Sequence, residues 1–353
     1  MAEQDFSNDR GANQSLLQRA THAAGTSAFA ADDLAAALFP KSDVRFSDRM
    51  LSFSRQYLKS LVFKIEKQLC LVATQRFDVA DETIAAVAAS DQGHSLPLLE
   101  QAGIINSSEI LGHVFVQAQK AELSLRLVQK ISQAELERIL TRHLDHADPA
   151  IAEAAMGLLV AQSREGGNSD NSNAPISGLP AEIMHALVWP ITAAVAKLAG
   201  STGSELVAAA ESVLSEHDES DSAQSRADRL ARLIDGSADS AAQNLHPLRD
   251  GLELFVARLS LRTHLPASQI YAFTADRNMA RLVVLLKSMN LPAEEALSIH
   301  ASLDGNGESM TAASYHEIDI HLASRLVSTW SANRDYQAAV RMLDAQDAGA
   351  LRR

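Results

Sequence analysis

The fold is decided by three short segments of the sequence: VADETI at residues 79–84, INSSEI at residues 105–110 and ISQAEL at residues 131–136. Each segment has an aliphatic residue, a polar helix-start signal and a second aliphatic residue five positions after the first. Polar side chains at such a start accept hydrogen bonds from the first backbone N–H groups of a helix. The 26-residue step between the segments predicts stacked helix pairs, each burying its apolar face mainly against its neighbours.

The composition also favours helices. Hydrophobic residues make up 46% of the 353 residues and aromatic residues only 5%, so the core is built mainly of Ala, Leu, Ile and Val. Small and unbranched residues have high helix propensity. No Asn-Gly or Asp-Gly turn lies between alternating strand patterns, as a β-hairpin would require. The predicted fold class is all-α, an α-solenoid of helix pairs with a second helical domain.

Composition along the chain predicts the domain organisation. Residues 1–14 are polar and are expected to form a disordered tail. A helical-repeat domain is expected over residues 15–162 and a second helical domain over residues 179–347. Between them lies SREGGNSDNSNAPISG, residues 163–178, which has almost nothing to bury and is expected to be a flexible linker.

The longest amphipathic pattern runs from Phe46 to about Thr74. Its apolar residues recur at steps of three or four and predict one buried helix face; they are Phe46, Met50, Phe53, Tyr57, Leu61, Ile65, Leu69 and Val72.

The three repeated segments give the chain a resemblance to a known family. Each follows an apolar half-unit such as Leu96-Pro-Leu-Leu99, and later helices open on Leu-Pro at Leu179, Leu265 and Leu291. In these features the chain resembles a family of bacterial HEAT-like helical-repeat proteins described only as a domain of unknown function. The resemblance covers about residues 30 to 300 and implies an α-solenoid of HEAT-like helix pairs with a helical second part. It implies no catalytic residues.

Charge and targeting signals limit the classes of partner. The formal net charge is −13, which makes nucleic acid an unlikely partner because phosphate backbones are bound mainly by Lys and Arg. The single cysteine, Cys70, has no second thiol with which to form an intramolecular disulfide. The N-terminus has no signal-peptide pattern, and the most apolar stretch, residues 183–200, is interrupted by His185, Pro190 and Lys197. We therefore expect a cytoplasmic protein with no membrane span.

Basic residues on the long amphipathic helix are the candidate binding residues. Arg55, Lys59, Lys64 and Lys67 are expected to contact an acidic protein partner. The same region, from Arg45 to Lys67, leaves weak nucleic-acid binding open as an alternative. No aromatic side chains for base stacking alternate with these charges, which favours the protein partner.

The segment from His316 to His321 is the candidate for metal chemistry. On one helix Glu317 and His321 would be four residues apart and could seat a divalent metal. The two histidines are five residues apart, which is not the zinc-hydrolase spacing, and an exposed helix pair explains the pattern without a metal. A metal-dependent enzyme stays open as an alternative. No glycine-rich phosphate loop, nucleophile elbow or Cys/His zinc spacing occurs, so no cofactor, metal or catalytic residue is assigned.

Two histidine positions are also informative. His113 falls on a ridge position of the repeat and is expected to make a hydrogen bond at the edge of the core, with a titratable switch as the alternative. His143 and His146 are expected to interact with the dipole of a helix end, and Asp148 to cap the next helix. The sequence therefore predicts a non-catalytic protein–protein interaction scaffold or regulatory adaptor, with its oligomeric state left open.

Overall fold

The computed structural model describes residues 48–77, 79, 81–166, 176, 178–200, 203–236, 245–274, 279–304 and 310–331. These residues form 16 α-helices and two short 3₁₀ turns, and none of them forms a β-strand. The all-α fold class is therefore confirmed. The predicted disordered tail, residues 1–14, lies outside the described residues.

The chain divides into two compact units between Arg258 and Leu259. The described helices of the first unit are α1 (Asp48–Arg76), α2 (Glu82–Ala89), α3 (Leu96–Gln101), α4 (Ser108–Lys130), α5 (Gln133–Thr141), α6 (Pro149–Gly166), α7 (Ala181–Ala199), α8 (Ser204–Ser215), α9 (Ala223–Gly236) and α10 (Pro247–Asp250). Helix α11 (Leu252–Thr263) begins in this unit and ends in the other. The described remainder of the second unit is α12 (Ala267–Thr274), α13 (Ala280–Ser288), α14 (Ala293–Leu303), α15 (Ala312–His316) and α16 (Ile320–Ser331).

The three predicted helix starts are confirmed. Asp81 accepts hydrogen bonds from the backbone N–H groups of Thr83 and Ile84, at the start of α2. Ser107 accepts one from Ile110 at the start of α4. Ser132 forms a reciprocal capping box with Glu135 at the start of α5. The repeated polar residues therefore act as helix caps, as their spacing from the aliphatic residues predicts.

Helix α1 is the central helix of the first unit. It packs against α2, α3, α4, α7 and α8. Helix α7 begins 105 residues after α1 ends, so the contacts of α1 are not limited to neighbours in sequence. Its buried residues are Met50, Ser54, Leu58, Leu61, Val62, Ile65, Glu66, Leu69, Cys70 and Ala73. At about 100° per residue these positions cover an arc of roughly 200°, wider than the predicted single stripe.

Helices α6 and α9 form a second closely packed pair in this unit. Their shared core is rich in alanine and includes Ile151, Ala154, Ala155, Leu158, Ala161, Ala223, Ala227, Leu230 and Ala231. Helix α6 continues to Gly166, into the segment expected to be a linker. Since α6 and α9 lie on opposite sides of residues 163–178 and share one core, the division between the two compact units does not coincide with the predicted boundary.

Position 178, at the end of the predicted linker, can be occupied only by glycine. Its φ is +99°, and a Cβ atom built on it would lie 2.9 Å from Cβ of Ser222. Both the positive φ and this close approach exclude larger side chains. The chain therefore enters α7 through a turn that packs against Ser222, between the 3₁₀ turn Glu219–Asp221 and the start of α9.

Two buried charged groups hold elements of the first unit together. The carboxylate of Glu66, on α1, accepts hydrogen bonds from the backbone N–H groups of His94 and Ser95, at the start of α3. The guanidinium of Arg258, on α11, donates to Asp235 at 2.9 Å and to Asp250 at 2.8 Å. Arg258 is 2% exposed, so both contacts are shielded from water. The two carboxylates accept the hydrogen bonds that the guanidinium would otherwise donate to water.

The second unit has its own core around α13. This helix packs against α12, α14 and α16, and Phe273 of α12 meets Trp330 of α16 edge to face at 5.0 Å between ring centroids. The hydroxyl of Tyr315 donates to the carbonyl oxygen of Leu291 at 3.0 Å. These contacts bring together residues that are up to 57 positions apart, from Phe273 to Trp330.

Replacing Glu66 by alanine tests the buried cap of α3. We expect Glu66→Ala to lower the free energy of unfolding by about 3 kcal/mol, because two buried backbone N–H groups lose their acceptor. Glu66→Gln retains one carbonyl acceptor and should cost less. The matched control is Glu100→Ala, at an exposed position on α3, with an expected change below about 0.5 kcal/mol. Urea unfolding of the full chain measures all three, and equal effects of Glu66→Ala and Glu100→Ala would contradict the interpretation.

Candidate functional site

Helix α7 has an apolar outer face in addition to its buried one. It is the one described helix that is long and apolar enough to cross a membrane, with a mean hydropathy of 1.2, yet only 44% of that stretch is buried. Its inner side packs against α1, α2, α3, α4 and α8. The buried residues on that side are Ile183, Met184, Leu187, Val188, Ile191, Thr192, Ala194 and Val195. Proline inside a helix pattern predicts a kink or a break at Pro190, and the helix continues through this residue without a break.

Trp189 is the largest side chain on the outer face of α7. It is partly exposed, and its indole N–H donates to Nε2 of His185 at 3.2 Å. The two rings meet edge to face, with 6.3 Å between their centroids. Because the His185 side chain already satisfies the indole N–H, the accessible part of Trp189 presents mainly apolar surface.

The neighbours of Trp189 along the helix are small. Ala186 and Ala193 lie three residues before and four residues after it, on the same side of the helix. Ala193 is exposed, and the exposed side chains of His185 and Lys197 lie on the same side of the helix. The outer face of α7 thus has a small apolar strip, with the indole ring as its largest side chain, between the charged residues Glu182 and Lys197. Aromatic anchors of this kind are enriched in the energetic centres of protein interfaces.

The structure separates the four basic residues predicted to bind a partner. Arg55 and Lys59 are exposed on α1 and line an open depression of about 450 Å³ together with Asp48, Leu51, Ser52 and Gln56. Lys64 points about 180° away from Arg55 around the helix axis. It is partly buried, and that burial lowers the pKa of its ammonium group.

Lys67 lies one turn after Lys64 and about 120° around the helix axis from Arg55. Its Nζ atom is 5.6 Å from the centroid of the Phe63 ring and 3.8 Å from Oδ1 of Asp91. The described part of α1 therefore has no single basic face that includes all four residues, because their spacing distributes them around the helix. Arg45, where the predicted nucleic-acid face begins, lies outside the described residues.

His113 makes the hydrogen bond expected at the edge of the core. Its Nε2 atom lies 2.9 Å from the hydroxyl of Tyr57. Burial lowers the pKa of His113 to about 4 and raises the pKa of Tyr57. Both groups are therefore neutral near pH 7, where the hydroxyl donates to an unprotonated ring nitrogen.

A partly buried ionic cluster lies near this pair and was not predicted from the sequence. Nζ of Lys120 is 2.8 Å from Glu165 and 3.2 Å from Glu253, and the Gln162 amide donates to Glu253 at 3.0 Å. These side chains come from α4, α6 and α11, so no local pattern in the sequence connects them. The cluster joins three helices and satisfies each of these charges.

The segment from His316 to His321, the candidate for metal chemistry, is predicted to lie on one helix, and this prediction is wrong because the segment spans the ends of two helices. Helix α15 ends at His316 and α16 begins at Ile320, because Ile318 is buried in the turn and the Asp319 carboxylate accepts a hydrogen bond from the N–H of Leu322 at 2.7 Å. Glu317 and His321 thus do not lie one turn apart on a single helix. Across the part of the chain that the structure describes, no three His, Cys, Asp or Glu side chains are grouped to hold a metal ion.

The histidines near Asp148 have structural contacts. The Asp148 carboxylate accepts a hydrogen bond from the N–H of Ala150, at the start of α6, as predicted. Nδ1 of His146 accepts one from the N–H of Asp148. Burial lowers the pKa of His143 to about 4, so a cationic interaction of this ring with the helix end is not expected near pH 7.

Comparisons with protein-family models, curated proteins and solved structures find no match to this chain.

The His113–Tyr57 contact predicts a loss of stability in acid. Because the folded-state pKa of His113, about 4, lies below its ordinary value of 6.5, the unfolded chain binds a proton between these two pH values and the folded chain does not. The contribution of the neutral His113 ring to the free energy of unfolding is therefore complete above pH 6.5, and it decreases as the pH falls towards 4. Between pH 6.5 and 4, we expect the free energy of unfolding of the wild-type chain to fall by on the order of 2 kcal/mol more than that of His113→Gln.

The measurement is urea unfolding at a series of pH values. Glutamine can still accept the Tyr57 hydrogen bond but does not titrate. His264→Gln, at an exposed site, is the control and should change the pH dependence less than His113→Gln does. Identical pH dependence of His113→Gln and the wild type would contradict the assignment.

Proposed function

We propose that this protein is a non-catalytic interaction protein, acting as a scaffold or adaptor, that binds a partner protein on the outer face of α7. The observation that carries the proposal is the partly exposed Trp189 on the most membrane-like helix of the described chain. A helix this apolar is usually enclosed. An exposed apolar surface around an aromatic anchor, bordered by polar residues, is typical of a protein interface.

The packing of α7 favours a protein partner over insertion into a bilayer. Eight residues of α7 are buried against other helices of the first unit. If α7 crossed a membrane, it would have to leave α1 and expose that core to water, at a cost of about 25 cal/mol for each Å² of apolar surface. Docking of a partner on the outer face requires no such rearrangement.

The HEAT-like solenoid stays a prediction beside this proposal. The caps at Asp81, Ser107 and Ser132 support regularly spaced helix starts. The contacts of α1 with α7 and α8 are not those of a stack in which each unit touches only its neighbours. The proposed function requires only the exposed apolar surface of α7, and it does not depend on the arrangement of the repeats.

Affinity capture with the full chain tests the proposal. The wild type, Trp189→Ala and the control Val128→Ala are each used to capture proteins from the cells that produce the chain. Val128 is 47% exposed on α4, so its truncation removes apolar surface elsewhere. We expect at least one protein to be retained by the wild type and the control, and reduced about tenfold or more by Trp189→Ala. Circular dichroism and thermal unfolding show whether each variant is folded.

A further variant distinguishes binding on α7 from binding on the predicted basic residues of α1. Arg55→Glu combined with Lys59→Glu reverses both exposed charges. If a captured protein is lost with this variant and retained by Trp189→Ala, the partner binds on α1 and the assignment to α7 is wrong. If Trp189→Ala abolishes binding to lipid vesicles and changes no captured protein, the outer face of α7 is a membrane contact.

A further inference from the structure

Helices α6 and α9 pack in opposite directions and bring three arginines to one surface. Near the end of α6, Arg164 lies 2.6 Å from Asp221, which precedes α9. Arg226 lies 2.9 Å from the other oxygen of Asp221. Towards the start of α6, Arg229 lies 3.9 Å from Glu153. These pairs define the antiparallel register of the two helices.

The middle of this surface is apolar and open. Met156 and Val160 lie one turn apart on α6 and are 50% and 41% exposed, although the opposite side of α6 forms the alanine-rich core with α9. Gly157 lies between them in sequence and faces Arg226: a Cβ atom built on it would be 3.6 Å from Cδ of Arg226. The absence of a side chain at Gly157 lets the Arg226 side chain pack close to the backbone of α6.

The arginines are only partly satisfied within the chain. The side chains of Arg164 and Arg229 are about half exposed, at 50% and 54%. The pair of Arg229 with Glu153 is long, and Glu153 is 77% exposed, so this pair contributes little to stability. Three arginines beside two carboxylates make a locally basic surface on a chain whose net charge is −13. An acidic partner is the electrostatic complement.

We propose that the surface formed by Met156, Val160, Arg164, Arg226 and Arg229 binds an acidic amphipathic helix of another protein. Apolar side chains of that helix would pack on Met156 and Val160. Its carboxylates would pair with the guanidinium groups, which donate planar, bidentate hydrogen bonds to carboxylates. This proposal rests on α6 and α9 and is independent of the surface proposed for α7.

The register predicts the spacing of charges in the partner. Arg229 lies at the level of Glu153, eleven residues before Arg164 along α6. At 1.5 Å per residue the two guanidinium groups are separated by roughly 16 Å along the helix axis. A partner helix aligned with α6 would therefore have acidic residues about eleven positions apart, with apolar residues at steps of three or four between them.

Peptide display on the intact chain tests this surface. The probe is a phage-displayed library of helix-forming peptides of about 18 residues, long enough to span the surface. The library is selected on the wild type and counter-selected on Val160→Glu. We expect the enriched peptides to be acidic, with the charge spacing given above. Affinity for an enriched peptide should fall about tenfold or more on Arg229→Glu and change less than about twofold on Arg138→Glu, an exposed arginine of α5.

A charge exchange makes the test specific. A peptide in which the acidic residue opposite Arg229 is replaced by lysine should bind Arg229→Glu more tightly than it binds the wild type. Both Val160→Glu and Arg229→Glu change exposed side chains, and their thermal unfolding should match that of the wild type.

Four results would overturn the proposal. The first is enrichment of peptides that have no acidic residues, or failure to enrich any peptide that binds the wild type more tightly than it binds Val160→Glu. The second is an equal loss of affinity on Arg138→Glu, which indicates non-specific attraction. The third is conversion of a dimer to a monomer by Val160→Glu, which makes a second copy the occupant. The fourth is binding of an RNA oligonucleotide that is lost on Arg229→Glu.

Discussion

The burial of α1 is the constraint on which the first unit depends. Its buried residues occupy an arc of roughly 200°, from Met50 through Leu61 to Cys70. One neighbouring helix cannot cover so wide an arc, since a typical helix contact uses one apolar stripe. Helices α2, α3 and α4 cover part of it, and α7 and α8, far along the chain, cover the rest. The hydrophobic effect thus joins distant segments of the sequence around one helix.

Carboxylates supplied by other elements complete several helix starts. Glu66 accepts from the backbone at the start of α3, Glu165 from Ala223 at the start of α9, and Glu219 from Ala181 at the start of α7. Each satisfies an N–H group that has no partner within its own helix, and each places a negative charge at the positive end of a helix dipole. These contacts fix the relative positions of helices as well as their first turns.

The surfaces proposed for binding follow from the same packing. Helices α6 and α7 are both apolar on more than the side that their neighbours cover, and each leaves large side chains accessible: Met156 and Val160 on α6, and Trp189 on α7. The sequence pointed instead to the basic residues of α1. It could not show that Lys64 and Lys67 contact their own surroundings, because the spacing along α1 does not show which other segments pack beside these residues.

Local chemistry determined the helices and their starts. Asp81, Ser107 and Ser132 cap helices because a short polar side chain reaches the backbone of its own next turn. Tertiary structure alone decided that a further row of α1, beside the predicted stripe, is also buried; this row is Leu58, Val62, Glu66 and Cys70. It also decided the break at Asp319 and the cluster of Lys120 with Glu165 and Glu253. These features depend on the burial of side chains by residues far away in sequence, and a periodic pattern contains only local information.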